Sequence, residues 1–144
     1  MSFTAIILAA GKGTRMNSAL PKPLHRVGGH AMLAWSMDAA RLAGAERIVT
    51  VLAPGSEDIQ DWLDGAPFAI QEDQLGTGNA VASAREAVGN ENGVAIVMFA
   101  DTPLVSAASL KQLADGVKAG AGIVIAGFRP DDPSGYGRLV EDAD

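Results

Sequence analysis

The sequence contains no cysteine. A disulfide framework and a thiolate zinc site are both excluded, and the chain suits a reducing cytoplasm. No apolar run approaches the roughly 20 residues of a membrane span. The N-terminus lacks the charged region and apolar stretch of a secretory signal. Positive charge is also short: 11 Lys and Arg stand against 17 Asp and Glu, a net charge of −6. That balance argues against general nucleic-acid binding, which needs a basic surface. A small anion remains possible, because a few local cations and backbone N–H groups suffice to hold one. His25 and His30 belong to no Ser or Cys nucleophile arrangement and to no H-E-x-x-H pattern, so both read as structural or solvated.

What remains is a chain of 144 residues, 48% hydrophobic and rich in glycine, with 17. Its length fits one domain with a core of its own. Apolar runs at 3–9, 47–52, 67–71, 94–99 and 122–128 read as strands. Residues 31–43, 57–63, 78–88 and 106–117 read as helices between them. Met32, Trp35, Ala39 and Leu42 share one helical face. Ser56 and Ser106 stand as N-caps, and Gly44 ends the first helix. The continuous apolar run 94–99 reads as a central parallel strand. Trp35 and Trp62 fall at core or rim positions. Glu57, Asp58, Asp61 and Asp64 form a solvated face. This alternation predicts an α/β fold: a Rossmann-like, mostly parallel sheet with helices on both faces. Ligands in such sheets sit beyond the carboxyl ends of the strands. The chain ends at Asp144 just as a further extended stretch begins, so the domain is expected to be truncated.

Four loops carry candidate chemistry. The first, residues 9–23, holds Gly11, Gly13, Arg15 and Lys22. It matches neither G-x-x-x-x-G-K-[ST] nor G-x-G-x-x-G. Even so, Arg can grip phosphate oxygens bidentately and Lys offers a compact charge. The alternative is two turn glycines and two solvated cations. In the second, residues 71–79, the Gln71 amide can pair with a base edge, and Gly76-Thr77-Gly78 lets backbone reach that base. Alternatively, Thr77 is simply an N-cap. The third places Asp101 after an apolar strand, where a carboxylate can hold a hard cation such as Mg²⁺; otherwise it starts an Asx turn before Pro103. The fourth, residues 132–138, is either a backbone wall against a sugar or a glycine-rich turn.

Together these stretches resemble the sugar-1-phosphate nucleotidyltransferases, and most closely the uridyltransferase domain of the bacterial bifunctional N-acetylglucosamine-1-phosphate uridyltransferase/glucosamine-1-phosphate acetyltransferases. L-A-A-G-x-G-T-R-M followed by P-K is shared across the superfamily. Q-x-x-Q-L-G-T-G at 71–78, D-x-P-L at 101–104 and D-P-x-G-Y-G-R at 132–138 point to the uridyltransferase. The resemblance implies a Mg²⁺-dependent, cytoplasmic enzyme of cell-wall precursor synthesis. Its substrates would be UTP and N-acetylglucosamine 1-phosphate, and its products UDP-N-acetylglucosamine and pyrophosphate. It implies that Leu8, Ala9, Ala10 and Gly11 hold the uridine, and that Gln71, Gly76 and Thr77 read the uracil. Arg15 and Lys22 would serve the phosphates as catalytic residues, Asp101 the metal, and Gly137 the sugar. Phe99 and Ala100 stand at ligand-binding positions where the family commonly has Tyr-Gly, and Asn79 replaces a usual histidine. By the same resemblance residues 1–144 are the nucleotide-binding part. The sugar-side remainder and the acetyltransferase domain, through which the complete family enzyme forms a trimer, lie outside them. A cytidylyl- or guanylyltransferase, or a nucleotide-binding module without catalysis, are the competing expectations.

Overall fold

The structure, a computed structural model, describes residues 3–11, 13, 16–89 and 93–140. Strand β1 (Phe3–Leu8) is the organising element, with two short strands, β2 (Arg26–Val27) and β3 (His30–Ala31), forming a separate antiparallel hairpin. Helix α1 (Met32–Ala43) follows, then β4 (Ala45–Leu52), α2 (Glu57–Leu63) and β5 (Phe68–Ile70). Helices α3 (Thr77–Ser83) and α4 (Arg85–Val88) lead into β6 (Ala95–Phe99), and α5 (Ala107–Lys118) closes the series. The main sheet has the order β5-β4-β1-β6, with every pairing parallel. No helix among the described residues is long and apolar enough to cross a membrane.

The period of two along β1 explains why the sheet is covered on both faces. Phe3, Ala5 and Ile7 point to a core shared with Leu33 and Met37 of α1, Ile59 of α2 and Leu110 of α5. Ile6 points the other way, to Val49, Val51, Ala80 and Ala84 under α3 and α4. Gly44 ends α1 in the left-handed conformation, with φ 98°, which an L side chain rarely adopts. The Ser106 side chain accepts a hydrogen bond from the Ser109 N–H at 3.1 Å and caps α5.

Several expectations are corrected. Of the face expected for α1, Met32 and Ala39 are buried but Trp35 and Leu42 are exposed, and the buried stripe runs on through Leu33, Ser36, Met37 and Ala40. The helix docks on β1 and α5 with the face next to the one its bulkiest residues suggest. Trp35 instead lies against the β2–β3 hairpin, donating from Nε1 to the Val27 carbonyl at 2.8 Å. Ser56 offers α2 its backbone carbonyl, not its hydroxyl. The helix expected over 78–88 is two short ones joined at Ala84.

Strand β6 lies at the sheet edge, not its centre, with Val97 at 41% and Phe99 at 46% exposure on the α3 face. Helices of seven and four residues cover β1 and β4 but do not reach across β6. Residues 122–128 form no strand: Ile123, Ile125 and Phe128 are exposed, and the segment is held to α5 through Val124 packed against Gly116. A strand needs a ladder partner for its backbone groups, and among the described residues none pairs with this segment.

Candidate nucleotide site

Three loops leave the carboxyl ends of β1, β5 and β6 on the same edge of the sheet, and a cleft of about 340 Å³ opens between them. The first loop contributes Leu8, Ala9, Ala10, Gly11 and Lys22 to its lining; the second, Gln71, Gly76 and Thr77; the third, Phe99, Ala100 and Asp101. Parallel pairing produces this convergence, because it brings the ends of successive strands to one side. Hydrogen bonds running on from the ladders pin the loop starts. Ala9 N–H donates to Val51, Ala100 N–H to Leu8, and Gln71 N–H to Leu52, each at 2.8–3.0 Å.

Lys22 and Asp101 meet across the mouth of the cleft. Lys22 Nζ lies 2.7 Å from Asp101 Oδ2, although 79 residues separate them. Lys22 is set by a 3-10 turn (Lys22–Leu24) that follows Pro21. Its stem runs against Gly13, where a Cβ would fall 2.8 Å from Lys22 Cβ and where φ is +58°. Only glycine suits both constraints. The Asp101 carboxylate is turned to this cation and not to a local backbone N–H, so it makes no Asx turn.

Gln71 is buried and its amide nitrogen is fully used. Nε2 donates to the Gly76 carbonyl at 3.1 Å and to Asn79 Oδ1 at 2.8 Å. Thr77 does not cap α3; Gly76 occupies the cap position with φ 111°. The cleft also contains Gly13, named above as part of the first loop, and residues to which no role was given: Pro23, Gln74 and Ala80. Gln74 Nε2 reaches the Ala10 carbonyl at 3.4 Å and ties the first two loops together. Its place in Q-x-x-Q was visible in the sequence, but nothing local distinguishes it from a solvated loop glutamine.

Two expected residues stand apart. Arg15 lies outside the described residues. Gly137 does not line the cleft. Its loop is closed on itself: Arg138 donates to the carbonyls of Pro133 and Tyr136, and the Tyr136 ring meets Phe128 edge to face at 5.0 Å. Asp132 is held below its ordinary carboxylate range by hydrogen bonds from the Ser134 hydroxyl and backbone N–H. The glycine-rich turn is thus the form this stretch takes.

The sequence profile of the MobA-like NTP transferase domain matches residues 5–139. The chain belongs to that family. It is 45% identical over 141 residues to the bifunctional protein GlmU of Maricaulis maris, and 44% identical over 142 to that of Parvibaculum lavamentivorans. Both matches cover 96% of this chain and 31% of the relative, so the chain spans about a third of their length. Among solved structures it is similar to Rv0371c of Mycobacterium tuberculosis H37Rv, with a TM-score of 0.70 and 26% identity over 83% of this chain and 62% of the other. It is also similar to a manganese complex of Rv0371c, at 0.63 and 27%, over 81% and 60%. The α/β fold is therefore that of the nucleotidyltransferases.

Proposed function

We propose that this chain is the nucleotide-binding part of a sugar-1-phosphate uridyltransferase, which joins UTP and N-acetylglucosamine 1-phosphate into UDP-N-acetylglucosamine and releases pyrophosphate. One observation carries the reading. A single cleft collects a backbone-lined glycine loop, a buried glutamine amide, a lysine and a carboxylate at the carboxyl edge of a parallel sheet. The similarity to the GlmU proteins supports the choice of uridyl transfer over other nucleotidyl transfers.

In this reading Leu8, Ala9, Ala10 and Gly11 hold the uridine through backbone, and Gln71, Gly76 and Thr77 face the base. Phe99 and Ala100 flank the sugar and phosphate positions beside Asp101. The acceptor's phosphate oxygen attacks the α-phosphorus of UTP in line. A new P–O bond forms there as the bond to the β-phosphate oxygen breaks, and pyrophosphate departs. The attacking group is already an anion, so no protein base is required. Lys22 neutralises charge that grows on the α-phosphate, and Arg15 is assigned to the leaving pyrophosphate.

Asp101 suits a divalent ion, Mg²⁺ in our reading. Its carboxylate already accepts a cationic Nζ at 2.7 Å. Among the described residues no group of three or more His, Cys, Asp or Glu gathers around it. The donor set therefore fits an ion completed by water and substrate phosphates, which is how Mg²⁺ is commonly held. Such an ion would add further charge neutralisation at the phosphates. Gly137, apart from the cleft here, is assigned to the sugar on the sequence motif alone.

Titration of the chain with UTP, CTP and GTP, each with and without Mg²⁺, tests the reading, together with pyrophosphate release on addition of N-acetylglucosamine 1-phosphate. We expect metal-dependent binding of UTP ahead of the other two. Equal affinity for all three would point to a different nucleotidyltransferase. UTP binding without pyrophosphate release would mark a nucleotide-binding part that needs further chain for turnover.

A further inference from the structure

The hydrogen bonding of Gln71 has a direction, and that direction selects the base. The Gly76 carbonyl can only accept, so the Gln71 atom 3.1 Å from it must be the amide nitrogen. That carbonyl cannot swing away, because it also accepts the Ala80 N–H at 3.1 Å in the first turn of α3. The second hydrogen of the same nitrogen goes to Asn79 at 2.8 Å, which requires Asn79 to present Oδ1. Both donors of the Gln71 amide are then consumed inside the protein. Its oxygen accepts no hydrogen bond from the described residues. Nor is it sealed, since Thr50 Oγ1 is the one buried side-chain polar atom among them that lacks a partner. Gln71 Oε1 therefore opens on the cleft as a pure acceptor.

We propose that Asn79 is a positioning residue that sets base specificity: by holding the Gln71 amide nitrogen, it makes the cleft accept a base with a ring N–H donor and reject one with a ring acceptor. The inference rests on the cleft being a pyrimidine-nucleotide site. Uracil offers N3–H to Gln71 Oε1. Cytosine offers a lone pair at the same atom, so oxygen and nitrogen lone pairs would face each other. A free glutamine could rotate its amide and serve either base. With Gly76 and Asn79 in place, rotation would set Oε1 against two oxygens, leave Asn79 Oδ1 without its donor and bury the Gln71 amide nitrogen away from both acceptors, which is costly.

Two measurements on the full chain test this. The first needs no nucleotide: solvent exchange of the Gln71 side-chain amide protons by ¹⁵N NMR. They should be protected in the wild type, faster in Asn79→Ala, and protected again in Asn79→Asp, whose carboxylate still accepts. The second is the ratio of UTP to CTP affinity by calorimetry. We expect the wild type to favour UTP by tenfold or more. Asn79→Ala should lose most of that ratio, about tenfold for one hydrogen bond lost to the buried Gln71 amide, and Asn79→Asp should keep it even if both affinities fall. A merely structural role for Asn79 would weaken both nucleotides alike, and an unchanged ratio in Asn79→Ala overturns the proposal. Unprotected amide protons in the wild type would overturn it too. If the wild type protects the amide but binds neither nucleotide, the assignment of the cleft fails and the selectivity with it, while the Gln71–Asn79 contact stands.

Discussion

Two glycine-rich polar stretches, 71–79 and 132–138, read alike in the sequence and behave differently in the fold. The first is clamped at both ends. Gln71 N–H continues the ladder from Leu52, and Gly76 starts α3. Its polar groups are therefore aimed, and they face a cleft. The second stretch follows residues 122–128, which form no strand and have no ladder partner among the described residues. Its groups turn inward on one another, through Arg138 to Pro133 and Tyr136 and through Ser134 to Asp132. The difference teaches that a loop's chemistry is inherited from the elements that hold it. A motif supplies residue types, and the strand in front of it supplies direction.

The largest test of this contrast removes the platform of the first loop. Leu52 is fully buried in β4, pairs with Ile70 and accepts the Gln71 N–H through its backbone. Leu52→Ala should cost about 3 kcal/mol in urea unfolding, within the usual range for a buried leucine. Next is the cation at the cleft mouth: Lys22→Ala should lower pyrophosphate release more than about a hundredfold, as lost charge stabilisers do. Near-normal turnover would remove Lys22 from the chemistry.

A matched pair then compares the two loops directly. Gly76 and Gly135 both have positive φ, 111° and 79°. Alanine at either should cost about 1–2 kcal/mol of backbone strain, yet only Gly76→Ala should weaken UTP binding. If Gly135→Ala weakens it equally, the two loops are not as separate as they look. Thr50→Val should stabilise the chain by about 1 kcal/mol, because it removes a buried hydroxyl without a partner. The smallest effect belongs to the unpaired segment. Ile125 is exposed, and Ile125→Ser should change unfolding free energy by less than about 0.5 kcal/mol.

Much of this was legible in the sequence because it follows from short-range rules. Alternating strand and helix periods specify an α/β sheet, and β-branched runs such as Ile48–Thr50 within β4 mark its strands. Ser106 and Gly44 sit at helix ends for reasons of local backbone chemistry alone. Parallel connections then bring Gly11, Lys22, Gln71 and Asp101 to one edge of the sheet. Three of the misreadings share one cause: they concern which surface a segment meets. The faces of α1, the edge position of β6 and the unpaired 122–128 depend on neighbours distant in sequence. An apolar run looks the same whether a partner covers one side of it or both.

The amino-acid order therefore determined most of the element types, the parallel sheet and most of the residues available to the cleft, since these follow from periodicity and turn chemistry. The tertiary structure decided how those residues are used. It set Lys22 against Asp101, turned the Gln71 amide onto Gly76 and Asn79, and closed the Gly137 loop on itself. The first contact joins groups 79 residues apart, the second ties the end of β5 to the start of α3, and the third closes a stretch that follows residues 122–128, which pair with no strand among the described residues. Hydrogen bonds and ion pairs act over a few ångströms, so their partners are settled only when packing brings distant segments together.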